Sequence, residues 1–319
     1  FLENAHHSFM EVNPVLIKEY KKSTTLRRTK TDSVDCESIA RWLITVEYKP
    51  HSKGFYHAYS LKSLTRLRDR LIRQRSFYLV KITNVLDHTF PEFKPFFNER
   101  LSKTALYLLE NYGSAEKMAR MNSASYDKLR CISRGKFSIQ QFLRLKELAA
   151  NTVGVNNSIF DLELNTLLTL YKSLSDEINT LETEIIKLIE EVHPHYMSIP
   201  GIGPISSAVI YAEYGDISNF SNPGQMLAFA GIEPGINDSG TESHGGRMVK
   251  HGSSQLRYVL LNACLPLIRF DLTFATYYEK KRAEGKKHRV AITHVAKKLI
   301  RVIYALERQD VDFNAQKLR

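Results

Sequence analysis

The sequence predicts a mainly α-helical protein with a partial α/β element near its start. Apolar residues recur at helical spacing along two unusually long runs, Leu61 to Val85 and Leu162 to Val192. The clearest strand-like stretch, His7 to Val12, is short and ends in the turn pair Asn13-Pro14. Three regions follow: an α/β remnant over residues 1–55, a long helical coiled-coil region over 56–195, and a mainly helical C-terminal domain over 196–319.

Taking the elements in order, Val15 to Tyr20 reads as a short helix after the strand. A basic stretch through Arg27, Arg28 and Lys30 leads to Thr31-Asp32, where Val34, Ile39, Trp42, Leu43 and Val46 fall at helical spacing. Asp32 suits an N-cap or first-turn position, with Asp35 three residues on. The first long run carries Arg66, Arg68, Arg70, Arg73 and Arg75 on its other side, which reads either as a solvated face or as one that tracks nucleic acid. Phe90-Pro91 breaks this helix, and shorter pieces follow at Leu101–Asn111 and Ser138–Ala150. The second long run, with Glu-rich outer positions, resembles a coiled-coil arm forming an antiparallel hairpin or a dimer contact.

The charge balance is 45 Lys and Arg against 34 Asp and Glu, a formal +11, which favours a polyanionic partner such as DNA. No apolar run approaches the roughly 18 residues of a membrane span, and no signal-peptide pattern opens the chain, so a cytoplasmic protein without a membrane partner is expected. Cys36, Cys131 and Cys264 lack metal-ligand spacing and are expected as buried free thiols.

The densest chemical information lies between Ile199 and Arg257. Ile199-Pro200-Gly201-Ile202-Gly203 precedes a helix, and a Gly-x-Gly turn at a helix N-terminus exposes amides suited to a phosphate oxygen. The spacing fits a helix-hairpin-helix turn, with Gly201 and Gly203 as DNA-binding candidates; it lacks the third glycine or Gly-Lys-Ser/Thr of nucleotide-binding loops. A helix through Phe229 should end at Gly231, followed by a Pro/Gly/Asn/Asp-rich loop containing Ser239-Gly240. The cations Arg247, Lys250 and Arg257 come after it, with His251 a weaker candidate, and could hold a phosphodiester. A further basic run, Lys280 to Arg289, suits either a nucleic-acid backbone or a solvated turn.

The blocks Ile199-Pro200-Gly201-Ile202-Gly203, Phe229-Ala230-Gly231-Ile232-x-Pro234, Asp238-Ser239-Gly240 and Gly252-x-x-x-Leu256-Arg257 resemble the C-terminal domain of the insertion-sequence DEDD transposases, a family viewed as bridge-RNA-guided serine recombinases. Lys30-Thr31-Asp32-Ser33-Val34-Asp35-Cys36 resembles the signature that holds the last two carboxylates of that family's RuvC-like (RNase H-like) site. The resemblance implies Ser239 as nucleophile, Asp32 and Asp35 as catalytic carboxylates and Mg²⁺ ligands, and a guide RNA and a homo-oligomeric synapse as partners. The first Asp and the Glu of the tetrad have no counterpart, since Glu3 and Glu11 fall at other places. The expectation is therefore an N-terminally truncated transposase, inactive as it stands. Rival readings are a non-catalytic helix-hairpin-helix DNA-binding protein and a RuvC-type metal nuclease.

Overall fold

The computed structural model describes residues 2, 5, 7–10, 12, 14–25, 31–48, 55–98, 101–239 and 242–318. Glu3, Glu11, Lys30 and Gly240 lie outside these. The N-terminal region holds α1 (Pro14–Thr24) and α2 (Asp32–Thr45), which pack on one another and bury no residue. The strand expected over His7–Val12 does not form: residues 7–10 and 12 pair with no ladder. A lone strand leaves its N–H and C=O groups without partners, so apolar alternation over six residues is not sufficient to create one.

The two long periodic runs become α3 (Phe55–Thr89) and α9 (Ser158–Val192), each of 35 residues. They run antiparallel. Leu61 clusters with Ile185 and Ile189 near one end, the Arg68 guanidinium meets Glu182 further along, and His88 stacks on Phe160 at the other end. The hairpin alternative is thus realised within one chain. Between the two helices lie α4 (Phe93–Phe96), α5 (Lys103–Tyr112), α6 (Ala115–Ala119), α7 (Ser123–Ile132) and α8 (Ile139–Ala150). They close a core over the tip that includes Leu86, Phe90, Phe93, Leu108, Met118, Leu129, Leu145 and Leu164. Side-chain caps fix the starts of α5 to α8: Ser102, Ser114, Asn122 and Ser138 each accept an amide of the first turn, worth roughly 1 kcal/mol apiece.

The C-terminal domain begins with a short 3₁₀ turn, His195–Ser198, and continues through α10 (Pro204–Tyr214) and α11 (Pro223–Ala230). A two-stranded antiparallel hairpin follows, β1 (Pro234–Ser239) and β2 (Glu242–Met248). The chain then forms α12 (Ser254–Phe270), α13 (Leu272–Ala283) and α14 (His288–Gln309). One continuous core joins these helices, running from Tyr196 and Ile202 through Met226, Leu256, Cys264 and Phe274 to Val295, Leu299 and Ile303. The Pro/Gly/Asn/Asp-rich stretch expected as loop is strand instead, because each strand satisfies the other's backbone groups and no side-chain alternation is needed. The cysteine expectation holds for Cys264, whose thiol burial pushes up to about 12, but Cys36 and Cys131 are exposed. Cys36 sits on α2, which has no buried face to place it in.

Burying an acid ties the arm to the C-terminal domain. Glu213 on α10 is buried and receives two hydrogen bonds from Arg66 of α3, Nε at 2.9 Å and Nη2 at 3.1 Å. Lys62 stands 3.7 Å away, and Ala208 and Ala212 pack on Leu61, Ile185 and Ile189. At the other side of the domain, His195 bridges Asp310 at 2.9 Å and Asp312 at 3.0 Å; those two carboxylates raise its pKa and hold the chain after α14. Among the described residues no single helix is long and apolar enough to cross a membrane.

Candidate functional site

Glycine geometry fixes the base of the β1–β2 hairpin. Gly231 ends α11 in the left-handed region, φ +65°, as the sequence predicts. Gly252 crosses the same point from the far side of the hairpin: a Cβ placed there would lie 2.0 Å from the Phe229 carbonyl oxygen and 2.5 Å from the Gly231 nitrogen. Ser253 N–H donates to that Phe229 carbonyl at 3.0 Å, and Val249 N–H donates to Glu233 O at 2.8 Å. Arg257 Nη1 donates to the Ala230 carbonyl at 3.3 Å. The motif blocks around Phe229–Ile232 and Gly252–Arg257 are therefore two halves of one backbone crossing. They clamp the hairpin onto the first turn of α12.

From that clamp the strands project to a two-residue connection. Ser239 is the last residue of β1 and pairs with Glu242, so it stands at the tip. Arg247 lies on β2, where the register slips by one and Gly246 and Arg247 together oppose Gly235. Lys250 and His251 follow the hairpin and are exposed. The hairpin and its exit thus gather Ser239, Arg247, Lys250 and Arg257 on one supersecondary unit, although the Arg257 guanidinium is engaged with backbone.

Gly201 and Gly203 lie elsewhere. Gly201 has φ +95° in the turn closed by Ile202 N–H to Ile199 O, and a Cβ there would come 2.7 Å from Pro266 Cγ and 3.2 Å from Ala263 O on α12. Gly203 caps α10, which begins with Pro204 at N1. The nine residues from Arg257 to Pro266 separate the two places by about 14 Å of helix rise. The glycine turn and the cations after the hairpin do not form one cluster.

Asp32 and Asp35 occupy the first turn of α2, where Thr31 is the N-cap and accepts the Val34 amide. Acids there complement the helix dipole. Asp35 is bound by Lys21 of α1 at 2.6 Å, and Asp32 is exposed. Among the described residues, no group of three or more His, Cys, Asp or Glu side chains is placed to hold a metal ion. Two carboxylates, one already neutralised by a lysine, do not by themselves fit the octahedral oxygen shell of Mg²⁺. Glu19 on α1 has its carboxyl lowered chiefly by its hydrogen bond from Lys22.

Two features escaped the sequence reading. Glu213 is a single acid in the otherwise apolar α10, a pattern that calls for a buried cationic partner. The cations of α14 repeat at helical spacing directly after the denser basic run Lys280–Arg289, which obscures that period in the sequence.

Comparison with known proteins fits this layout at both ends. Residues 194–279 match the family described as Transposase IS116/IS110/IS902, and residues 1–91 match a Transposase family of the IS110 DEDD type. The chain is 27% identical over 245 residues to the insertion element IS110 43.6 kDa protein of Streptomyces coelicolor, covering 74% of this chain and 60% of that protein. It is 28% identical over 298 residues to the insertion element IS900 42 kDa protein of Mycobacterium paratuberculosis, covering 88% and 71%. To the transposase for insertion sequence element IS1111A of Coxiella burnetii it is 25% identical over 260 residues, covering 81% and 59%. The class is thereby defined: the chain carries insertion-sequence transposase domains. More particularly, they are the domains of the IS110/IS116 family. The matched segment spans about 60% of the IS110 protein's length.

Proposed function

We propose that this chain takes part in DNA transposition as a serine recombinase, with Ser239 as nucleophile. The observation that carries the reading is the position of Ser239 at the tip of a hairpin clamped by Gly231 and Gly252, inside the segment that matches the transposase family. A nucleophile at a projecting tip can meet a phosphodiester that the body of the domain could not reach. Ser239 Oγ attacks phosphorus, and an Oγ–P bond forms as one P–O bond to deoxyribose breaks. The departing oxygen leaves as a hydroxyl, taking up the proton that the serine loses. Reversal by a hydroxyl of another strand reseals the backbone and frees the serine.

Arg247 and Lys250 supply positive charge near the hairpin to offset the anionic transition state. Arg257 acts through the clamp, holding the hairpin base by the Ala230 carbonyl. Gly201 and Gly203 offer a separate backbone contact to DNA. Asp32 and Asp35 belong, on this reading, to a RuvC-like domain and are two of the carboxylates of a Mg²⁺ site that needs further groups; no step above runs through it. The partners are DNA, a guide RNA and further copies of the chain, acting in the cytoplasm.

The test uses the full chain with DNA of the element's own ends and RNA transcribed from the element. The expected result is a denaturant-resistant protein–DNA adduct with the natural sequence and none with Ser239→Ala, binding being retained. An adduct that persists in the variant overturns the assignment of Ser239. No adduct with the natural sequence overturns the covalent mechanism.

A further inference from the structure

The buried side of α14 is defined by Ile292, Val295, Leu299, Val302, Ile303 and Leu306. At 100° per residue, the opposite face carries His294, Lys297, Arg301, Tyr304 and Arg308 within about a quarter turn of one another. That face holds no carboxylate over the fifteen residues from His294 to Arg308, whereas surface helices ordinarily mix both signs. Glu307 points to the other side, where it accepts the Tyr196 amide. Among the described residues, His294, Lys297 and Arg301 make no ion pair or side-chain hydrogen bond. Arg308 rests on the Tyr304 ring and bonds its hydroxyl.

These groups are crowded as well as unpaired. Partial burial lowers the pKa of His294, and Lys297, Lys281 and Lys286 lower it further; Glu284 opposes them. Lys297 is likewise lowered by burial, with Arg301 adding to the effect and Glu233 opposing it. Like charges held together at an electrostatic cost are relieved by a polyanion. Packing locates the stripe: α14 lies against α11, which leads through Gly231 and Glu233 into β1.

We propose that the solvent face of α14, through His294, Lys297, Arg301 and Arg308, tracks the phosphate backbone of duplex DNA and leads it to the hairpin that carries Ser239. From His294 to Arg308 the face runs about 21 Å, close to six base pairs of duplex. The five steps of β1 from Pro234 to Ser239 carry the serine up to about 17 Å from the hairpin base. The choice of DNA rests on the function proposed above.

The experiment measures binding of the full chain to a 30-base-pair duplex by fluorescence anisotropy over a range of KCl concentrations. The double variant Lys297→Gln/Arg301→Gln is compared with Lys172→Gln/Lys187→Gln, which removes the same charge from the exposed face of α9. Loss of two phosphate contacts should flatten the slope of log K against log salt by about 1.8, while the α9 control changes it by less than about 0.5. Equal slopes in the two variants overturn the inference. So does a flattening seen only with an RNA duplex of the same length. Both variants should melt within about 2 °C of the natural sequence, since the replaced side chains lie outside the core. The two proposals fail separately: Ser239→Ala keeps the full salt slope whatever becomes of the adduct, and the α14 variant reports on binding whether or not strand exchange occurs.

Discussion

The two ends of this chain present their candidate chemical groups on very different supports. Asp32 and Asp35 sit on a helix that buries nothing, steadied by one partner helix and a lysine. Ser239 sits at the end of a hairpin whose base is locked into a core running from Tyr196 to Leu306. Placement of the hairpin that carries the serine is therefore dictated by backbone packing at its base, and geometry at the carboxylates by local helix propensity and charge. The first should respond sharply to substitution and the second weakly.

Gly252→Ala gives the largest effect. Its Cβ would fall 2.0 Å from the Phe229 carbonyl, and backbone faces it from Gly231 as well, so neither chain can yield without breaking the clamp. A loss of more than about 3 kcal/mol is expected in urea denaturation. A variant that melts like the natural sequence would remove the contrast between the two ends. Next comes Glu213→Gln. Replacing the buried carboxylate leaves Arg66 with a neutral partner and should destabilise by roughly 2–4 kcal/mol, again read by denaturant unfolding. Arg66→Ala should then add little in the double variant, since the two changes remove one interaction. The smallest effect belongs to Lys21→Ala. The Asp35 carboxylate is 41% exposed, so losing this ion pair should change stability by less than about 1 kcal/mol, and added salt should shrink even that. A larger change would mean that α1 and α2 are supported far better than their exposed faces indicate.

The helical frame was legible from spacing alone. The runs around Leu64 and Leu168 repeat for so long that tertiary context had little to decide. The breaks at Phe90-Pro91 and His193-Pro194 likewise mark real ends, as does Gly231. Elements made by pairing were less readable. Pro234-Gly235-Ile236-Asn237-Asp238 has the composition of a loop and forms a strand because β2 lies beside it; His7–Val12 has the composition of a strand and forms none for want of a neighbour. At the candidate site, the order of the motifs singled out Ser239 and the glycines. It could not say that Arg257 serves a carbonyl or that Gly201 packs on Pro266, because both facts depend on which helix crosses which. Glu213 and the α14 cations had a signal, an acid among apolar neighbours and a cation every third or fourth residue, that becomes meaningful once the buried face is known.

The antiparallel arm is also a lever. A helix of 35 residues is about 52 Å long, and α3 and α9 both reach from the Glu213 anchor to the core around Phe90 and Leu145. With the fulcrum at Arg66 and Glu213, about 35 Å from the end of α3 at Thr89, a tilt of about 5° sweeps that end through roughly 3 Å, further than a hydrogen bond can follow. The Arg66–Glu213 ion pair and the packing of Ala208 and Ala212 on Leu61, Ile185 and Ile189 thus together set the aim of the arm's far end.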